Sequence, residues 1–152
     1  MTDKALNGLL KALGAQTGRH LEIIQAEPDR LELTVSPVKA SETIILSGHE
    51  VFALCDILAS GAARIGWEGD YRRLLTTSFY WQCFRPVRAR TLKITAVVQS
   101  RGSRLINVRL VVDVPEAAGG PCAEANVTIY ARPSKPSRQK LEARDEFELT
   151  GA

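Results

Sequence analysis

Ser47-Gly48-His49-Glu50-Val51-Phe52-Ala53-Leu54-Cys55-Asp56-Ile57-Leu58-Ala59-Ser60-Gly61-Ala62-Ala63 is the stretch on which the reading of this 152-residue chain turns. It opens with Ser-x-x-Glu, the capping box in which a Ser side chain caps the helix and the Glu reaches back. From Val51 to Ala63 the one charged residue is Asp56. A helix that is apolar on every side has to be covered on every side. The small residues Ala59 to Ala63 call for a neighbour packed very close to its second half. The pattern predicts a buried central helix over 47–65, stopped by a loop with Gly66, Gly69 and Asp70.

Around that helix the period becomes two. Upstream, Leu6, Leu9, Leu10 and Leu13 share one helical face, which predicts a short N-terminal helix over 3–13 with Gly14 as its stop. His20 to Ala26 and Leu31 to Val35 read as strands about a Pro28-Asp29 turn, and Ser36 to Leu46 as a loop. Downstream, Thr76 to Phe84, Leu92 to Gln99, Ile106 to Val112 and Ala123 to Ala131 read as four more strands, linked at Ser100-Arg101-Gly102-Ser103 and across Val114 to Pro121. Strands joined so briefly are antiparallel. The expected fold is α+β, with an antiparallel sheet of five to six strands wrapped round one long buried helix. It occupies residues 1–132 and is followed by a charged tail over 133–152. One sheet leaves an edge and a helix flank open, which a second copy could close.

Bulk properties narrow the classes. No run of about 18 apolar residues is present, as a transmembrane helix needs, and the N-terminus lacks the pattern of a signal peptide. Cys55, Cys83 and Cys122 stand far apart and make no CxxC, so reduced thiols in a cytoplasm are expected. With two histidines, His20 and His49, no metal site is expected. Between Arg64 and Arg109 ten basic residues face only Glu68 and Asp70, a balance that suits an anionic ligand or a solvated face. No interleaving of aromatics with Lys and Arg and no glycine-rich phosphate loop appears, so nucleic acid is not an expected partner.

Asp56 is the sharpest chemical feature. Aspartate is a poor helix-interior residue, and a buried charge is costly unless paired. Its presence fits a working carboxylate, or a structural one paired to Arg64, Ser60 or a neighbouring strand. The start of the same helix offers unpaired backbone N–H groups with partial positive charge, and Gly48 allows close approach to them. Such donors can hold a developing oxyanion. Gly48 and Asp56 lie eight residues apart, about 12 Å along a helix, too far to touch one carbonyl within one chain. If both act, the site is shared between two chains. Ser47 has no evident partner to make it a nucleophile. Arg101 and Arg104 could meet phosphates or water. Phe52, Phe79, Tyr80 and Trp81 could line an acyl pocket or pack the core.

Leu46 to Asp56 resembles the central-helix motif of the phenylacetyl-CoA thioesterase-like group, in the hydroxybenzoyl-CoA thioesterase branch of the hotdog superfamily, whose pattern is roughly His-Gly-Gly, six residues, then Asp. Thr76 to Pro86 is similar to the strand that follows there, Arg101 to Leu105 to its hairpin, and Ala123 to Tyr130 to its last strand. The resemblance covers about residues 18 to 132. It implies a homodimer, and for some members a dimer of dimers, that hydrolyses an acyl-CoA thioester at the interface. Asp56 would be general base or nucleophile, Gly48 would polarise the carbonyl, Ser47 stands where the family has His, and Thr77 would orient water. Arg85, Arg101 and Arg104 would lie near the CoA phosphates. Apart from the resemblance, His49, in the first turn of the helix, is a candidate for substrate contact or a solvated residue, and Phe52 for substrate contact or the core. No separate cofactor is implied, since coenzyme A arrives with the substrate. His49 also replaces the family's second Gly. These departures keep a second expectation open, a non-catalytic acyl-CoA-binding protein.

Overall fold

The computed structural model describes residues 4–39, 42–65 and 74–132. Asp3, the loop with Gly66, Gly69 and Asp70, and the tail over 133–152 lie outside them. Helix α1 (Lys4–Thr17) is followed by β1 (Arg19–Glu27), β2 (Arg30–Pro37), β3 (Ile44–Leu46) and α2 (Gly48–Arg64). Then come β4 (Leu74–Cys83), β5 (Val87–Ala89), β6 (Leu92–Arg101), β7 (Leu105–Asp113) and β8 (Ala123–Ala131).

Six strands form one antiparallel sheet in the order β1-β2-β6-β7-β8-β4. Alternation decides which side meets the helix. Leu31, Leu33 and Val35 of β2, Ile94 and Ala96 of β6, Val108 and Leu110 of β7, and Val127 and Ile129 of β8 all point inward and are buried. They meet Val51, Leu54, Cys55, Leu58, Ala59, Ala62 and Ala63 of α2. This is the hotdog arrangement expected from the sequence, with six strands. The close neighbour expected along the second half of α2 is found at Gly61, where a Cβ would stand 2.8 Å from Leu6 and 3.0 Å from Leu31.

Three local expectations are corrected. Helix α1 does not stop at Gly14 but runs to Thr17, and Gly18, at φ +67°, makes the left-handed turn that ends it. Gly14 is small for another reason: a Cβ there would lie 2.6 Å from the Arg19 carbonyl oxygen as the chain folds back. Of the four leucines of that face, Leu6 and Leu10 are buried; the side chains of Leu9 and Leu13 are outside the described ones. The Ser36–Leu46 loop ends in β3, which pairs with β5 in a two-stranded ribbon leading into α2. Neither three-residue strand is long enough to display a period. Strand β4 begins two residues early, at Leu74.

The helix is not covered all round. Phe52 remains 40 % exposed, and Gly48 and His49 are exposed. That open flank runs beside β4, an edge strand of the sheet.

Candidate active site

The two sides of the open flank meet in three steps. Residues 48, 52 and 56 repeat every four and so share one face of α2. Strand β4 runs the opposite way alongside. At the first step the Trp81 ring lies so close to Gly48 that a Cβ there would be 3.2 Å from its Cη2 atom. At the second, the Phe52 and Phe79 rings have centroids 4.1 Å apart at a tilt of 41°. At the third, Thr76 Oγ1 donates a hydrogen bond to Asp56 Oδ1 at 2.8 Å. Asp56 is half-buried rather than enclosed. Its partner comes from the neighbouring strand, and its second oxygen makes no hydrogen bond with the described residues.

A bulge decides which threonine meets the carboxylate. The β4–β8 register shifts between Thr76 and Ser78, so Thr76 pairs with Ile129, Phe79 with Val127 and Trp81 with Ala125. Those three β8 residues face α2, and so do their partners. Thr77 is the extra residue, and its hydroxyl donates to the Thr128 carbonyl at 3.2 Å. Counting back by twos from Phe79 gives Thr77; the inserted residue hands the place to Thr76. The sequence carries no signal for the bulge beyond the Thr76-Thr77 doublet.

The helix start is held by the box the sequence shows. Ser47 N–H donates to Glu50 Oε2 at 2.8 Å, and Glu50 N–H reaches Ser47 Oγ at 3.4 Å. The Ser47 hydroxyl also donates to that carboxylate. Glu50 and Val51 N–H both find the Ser47 carbonyl. These bonds use the donors of Ser47, Glu50 and Val51. The N–H groups of Gly48 and His49 have no acceptor among the described residues, so the donor capacity of the helix end is concentrated in two adjacent, exposed amides. Arg19, which the sequence reading did not single out, donates to Glu50 Oε1 at 2.6 Å and to the Ile45 carbonyl at 2.8 Å. Burial pushes the Glu50 carboxyl up, but the bonds from Arg19 and Ser47 prevail and hold it below the usual range.

The neighbouring thiol offers no nucleophile. Cys55 is buried, and burial, followed by the charge of Asp56, pushes its pKa up to about 12. A neutral thiol at pH 7 reacts poorly.

The arginines separate into engaged and free. Arg101 donates to the carbonyls of Ala63 at 2.9 Å, Ala62 at 3.3 Å and Ile65 at 2.9 Å, and to Asp29 Oδ1 at 2.8 Å. Its guanidinium closes the C-terminal end of α2, where a cation is favoured, and is not free for a phosphate. Arg85 is tied to the carbonyls of Ala118 and Gly120 in the β7–β8 loop. The side chains of Arg104 and of Arg88, which pairs with Ile45 across the small ribbon, are exposed and bond no described residue.

A cavity of about 580 Å³ lies elsewhere, between α1 and β1, and no residue of α2 or β4 lines it. Among the described residues no three His, Cys, Asp or Glu side chains converge as metal ligands, and no helix is long and apolar enough to cross a membrane.

No protein-family model matches the sequence, and no curated protein matches it significantly. Solved structures do. A thioesterase family protein from Silicibacter pomeroyi has 18% identity and a TM-score of 0.66, over 85% of this chain and 96% of that one. A mutant thioesterase from Pseudomonas aeruginosa has 20% identity and a TM-score of 0.66, over 86% and 94%. A hypothetical thioesterase from Streptococcus pneumoniae, solved with coenzyme A, has 15% identity and a TM-score of 0.63, over 82% and 96%. Likeness at such identity establishes the hotdog fold.

Proposed function

We propose that this protein hydrolyses an acyl-CoA thioester, with Asp56 as the catalytic carboxylate and with the Gly48 and His49 amides of a second copy as the oxyanion donors. The observation that carries this is the Thr76–Asp56 pair on the same open helix flank as two unused N–H groups. With one oxygen of Asp56 engaged by Thr76, the other is left to accept a proton from water. The water oxygen attacks the thioester carbonyl carbon, and the proton passes to Asp56. Negative charge gathers on the carbonyl oxygen and is met by the two amides. The intermediate collapses, the carbon–sulfur bond breaks, and the proton leaves with the thiolate. The products are the free acid and coenzyme A, and no separate cofactor takes part.

The second copy is required by length, since Gly48 and Asp56 of one helix stand about 12 Å apart. Strand β4 supports the pairing. Its ten residues contain no charge, and Leu75 and Tyr80 are 51% and 64% exposed. A long uncharged edge strand is a template for another strand. Pairing about a two-fold axis reverses the second helix, which brings its start toward the first copy's Asp56. Phe52 and Phe79 lie between the two, where the acyl group would rest. Among the described residues, Arg88 and Arg104 are exposed cations without a bonded partner that could meet the phosphates. The solved relative that carries coenzyme A supports the ligand class, though the hydroxybenzoyl-CoA branch rests on the motif resemblance alone.

The test is free-thiol release from short, medium, long-chain and aryl acyl-CoAs, with Asp56→Asn beside the wild type. Release that falls by roughly 10²-fold or more in the variant, with the fold retained, is the expected outcome. Full activity in Asp56→Asn would remove the carboxylate from the mechanism. CoA esters that raise the melting temperature without being consumed would point to the non-catalytic binding protein, the reading that Ser47 in place of His favours.

A further inference from the structure

The first turn of α2 is tied to a residue outside the helix. Arg19 opens β1, with only 17% of its side chain exposed, and donates to Glu50 Oε1 and to the Ile45 carbonyl. Glu50 Oε2 in turn accepts the N–H of Ser47, the residue before Gly48. The capping box is thus extended into a chain from Arg19 through Glu50 to Ser47. Capping has an electrostatic cost at this place. The Glu50 carboxylate stands within one turn of the Gly48 and His49 N–H groups, and an unpaired negative charge there opposes any negative charge that develops on an oxygen they bind. A guanidinium 2.6 Å away offsets it.

We propose that Arg19 is a positioning residue for the thioester hydrolysis: it fixes the first turn of α2 through Glu50 and cancels the carboxylate's charge beside the Gly48 and His49 amides. This rests on the thioesterase reading above. The role belongs to the transition state more than to substrate binding, because the carbonyl oxygen carries its full negative charge only there.

The experiment compares kcat and KM for acyl-CoA hydrolysis in wild type, Arg19→Met, Arg19→Lys and the double variant Arg19→Met/Glu50→Gln. Arg19→Met is expected to lower kcat roughly tenfold with KM within about twofold, the pattern of an interaction made in the transition state. The double variant is expected to recover most of that loss, because Gln still accepts the Ser47 N–H but carries no charge. A merely structural Arg19 gives the opposite ordering, since the double variant loses both partners of the ion pair. Unchanged kcat in Arg19→Met, or a double variant no better than it, overturns the inference. If Arg19→Met does not fold, Arg19→Lys decides: kcat within about threefold of wild type supports the charge role and a larger loss overturns it. Absence of hydrolysis in the wild type sinks the thioesterase reading and this inference together, whereas an active wild type with an indifferent Arg19→Met sinks this inference alone.

Discussion

Thr76 Oγ1 lies 2.8 Å from Asp56 Oδ1, and that contact exists because one residue, Thr77, is inserted in β4. The hydroxyl holds one carboxylate oxygen in place, and the other makes no hydrogen bond with the described residues. A hydrogen bond to a charged group contributes about 1.5–3 kcal/mol, and each 1.4 kcal/mol is a factor of ten. Thr76→Val is therefore expected to lower kcat for thioester hydrolysis by roughly tenfold or more, and Thr76→Ser to restore most of it. Thr77→Val, which loses only a bond to the Thr128 carbonyl, is expected to do much less. Steady-state thiol release from the three variants checks this. A larger loss in Thr77→Val than in Thr76→Val would reverse the assignment of the two threonines.

Gly61 sets the distance between α1 and α2. A Cβ would stand 2.8 Å from Leu6 and 3.0 Å from Leu31, both fully packed. Alanine in a helix interior gains about 1 kcal/mol over glycine, whereas overpacking a filled core costs about 1–3 kcal/mol. Crowding on both leucines is expected to win. Gly61→Ala should lower the melting temperature by a few degrees at this chain length. The penalty should shrink in a Leu6→Ala background, where one of the obstructing side chains is gone. Thermal unfolding of the two singles and the double measures that coupling; strict additivity would mean Leu6 is not the obstacle.

The fold was legible because its main signals are local and long. A capping box followed by thirteen residues with one charge announces α2, and the alternation of β2, β6, β7 and β8 survives as burial in the structure. The elements that were missed are those that tertiary pairing creates. Strands β3 and β5 have three residues each and exist because they pair with each other. The candidate site was half legible. Asp56 and Gly48 stand out by composition and spacing. Thr76 depends on a bulge, and Arg19 on a contact across 31 residues. Arg101 read as a phosphate ligand because its other partners, the carbonyls of α2, have no sequence signature.

Arg101 joins three elements: the β6 end, the carbonyls closing α2, and Asp29 in the β1–β2 turn. Asp29 is itself held at φ +67°, and its carbonyl accepts the Val98 N–H at 2.8 Å. Arg101→Ala removes the donor from several carbonyls at once, and a loss of about 1–3 kcal/mol of stability is expected. KM for acyl-CoA is expected to stay within about twofold, since the guanidinium is not available to a phosphate. Chemical denaturation beside KM separates the two roles; a raised KM with unchanged stability would return Arg101 to the ligand.

Glu50 gives the helix start a dependence on pH whose sign follows from its surroundings. The ordinary value of its carboxyl is 4.5, and in the fold it is lowered. Burial acts against the charge. The Arg19 hydrogen bond, the Ser47 N–H, the charge of Arg19 and the Ser47 hydroxyl act for it and prevail. A carboxyl with a depressed folded-state pKa stabilises the fold fully above its unfolded value and loses that contribution as pH falls through the folded one. Wild type should therefore melt above Glu50→Gln by a constant margin from about pH 6 to 8, because Gln keeps a neutral cap but not the ion pair. The margin should begin to shrink as pH falls below about 4.5 and vanish once the carboxyl is protonated. Calorimetry of both proteins from about pH 3 to 8 measures it, with partial exposure and added salt both expected to reduce its size. A margin independent of pH would mean that the ion pair with Arg19 does not stabilise the first turn of α2.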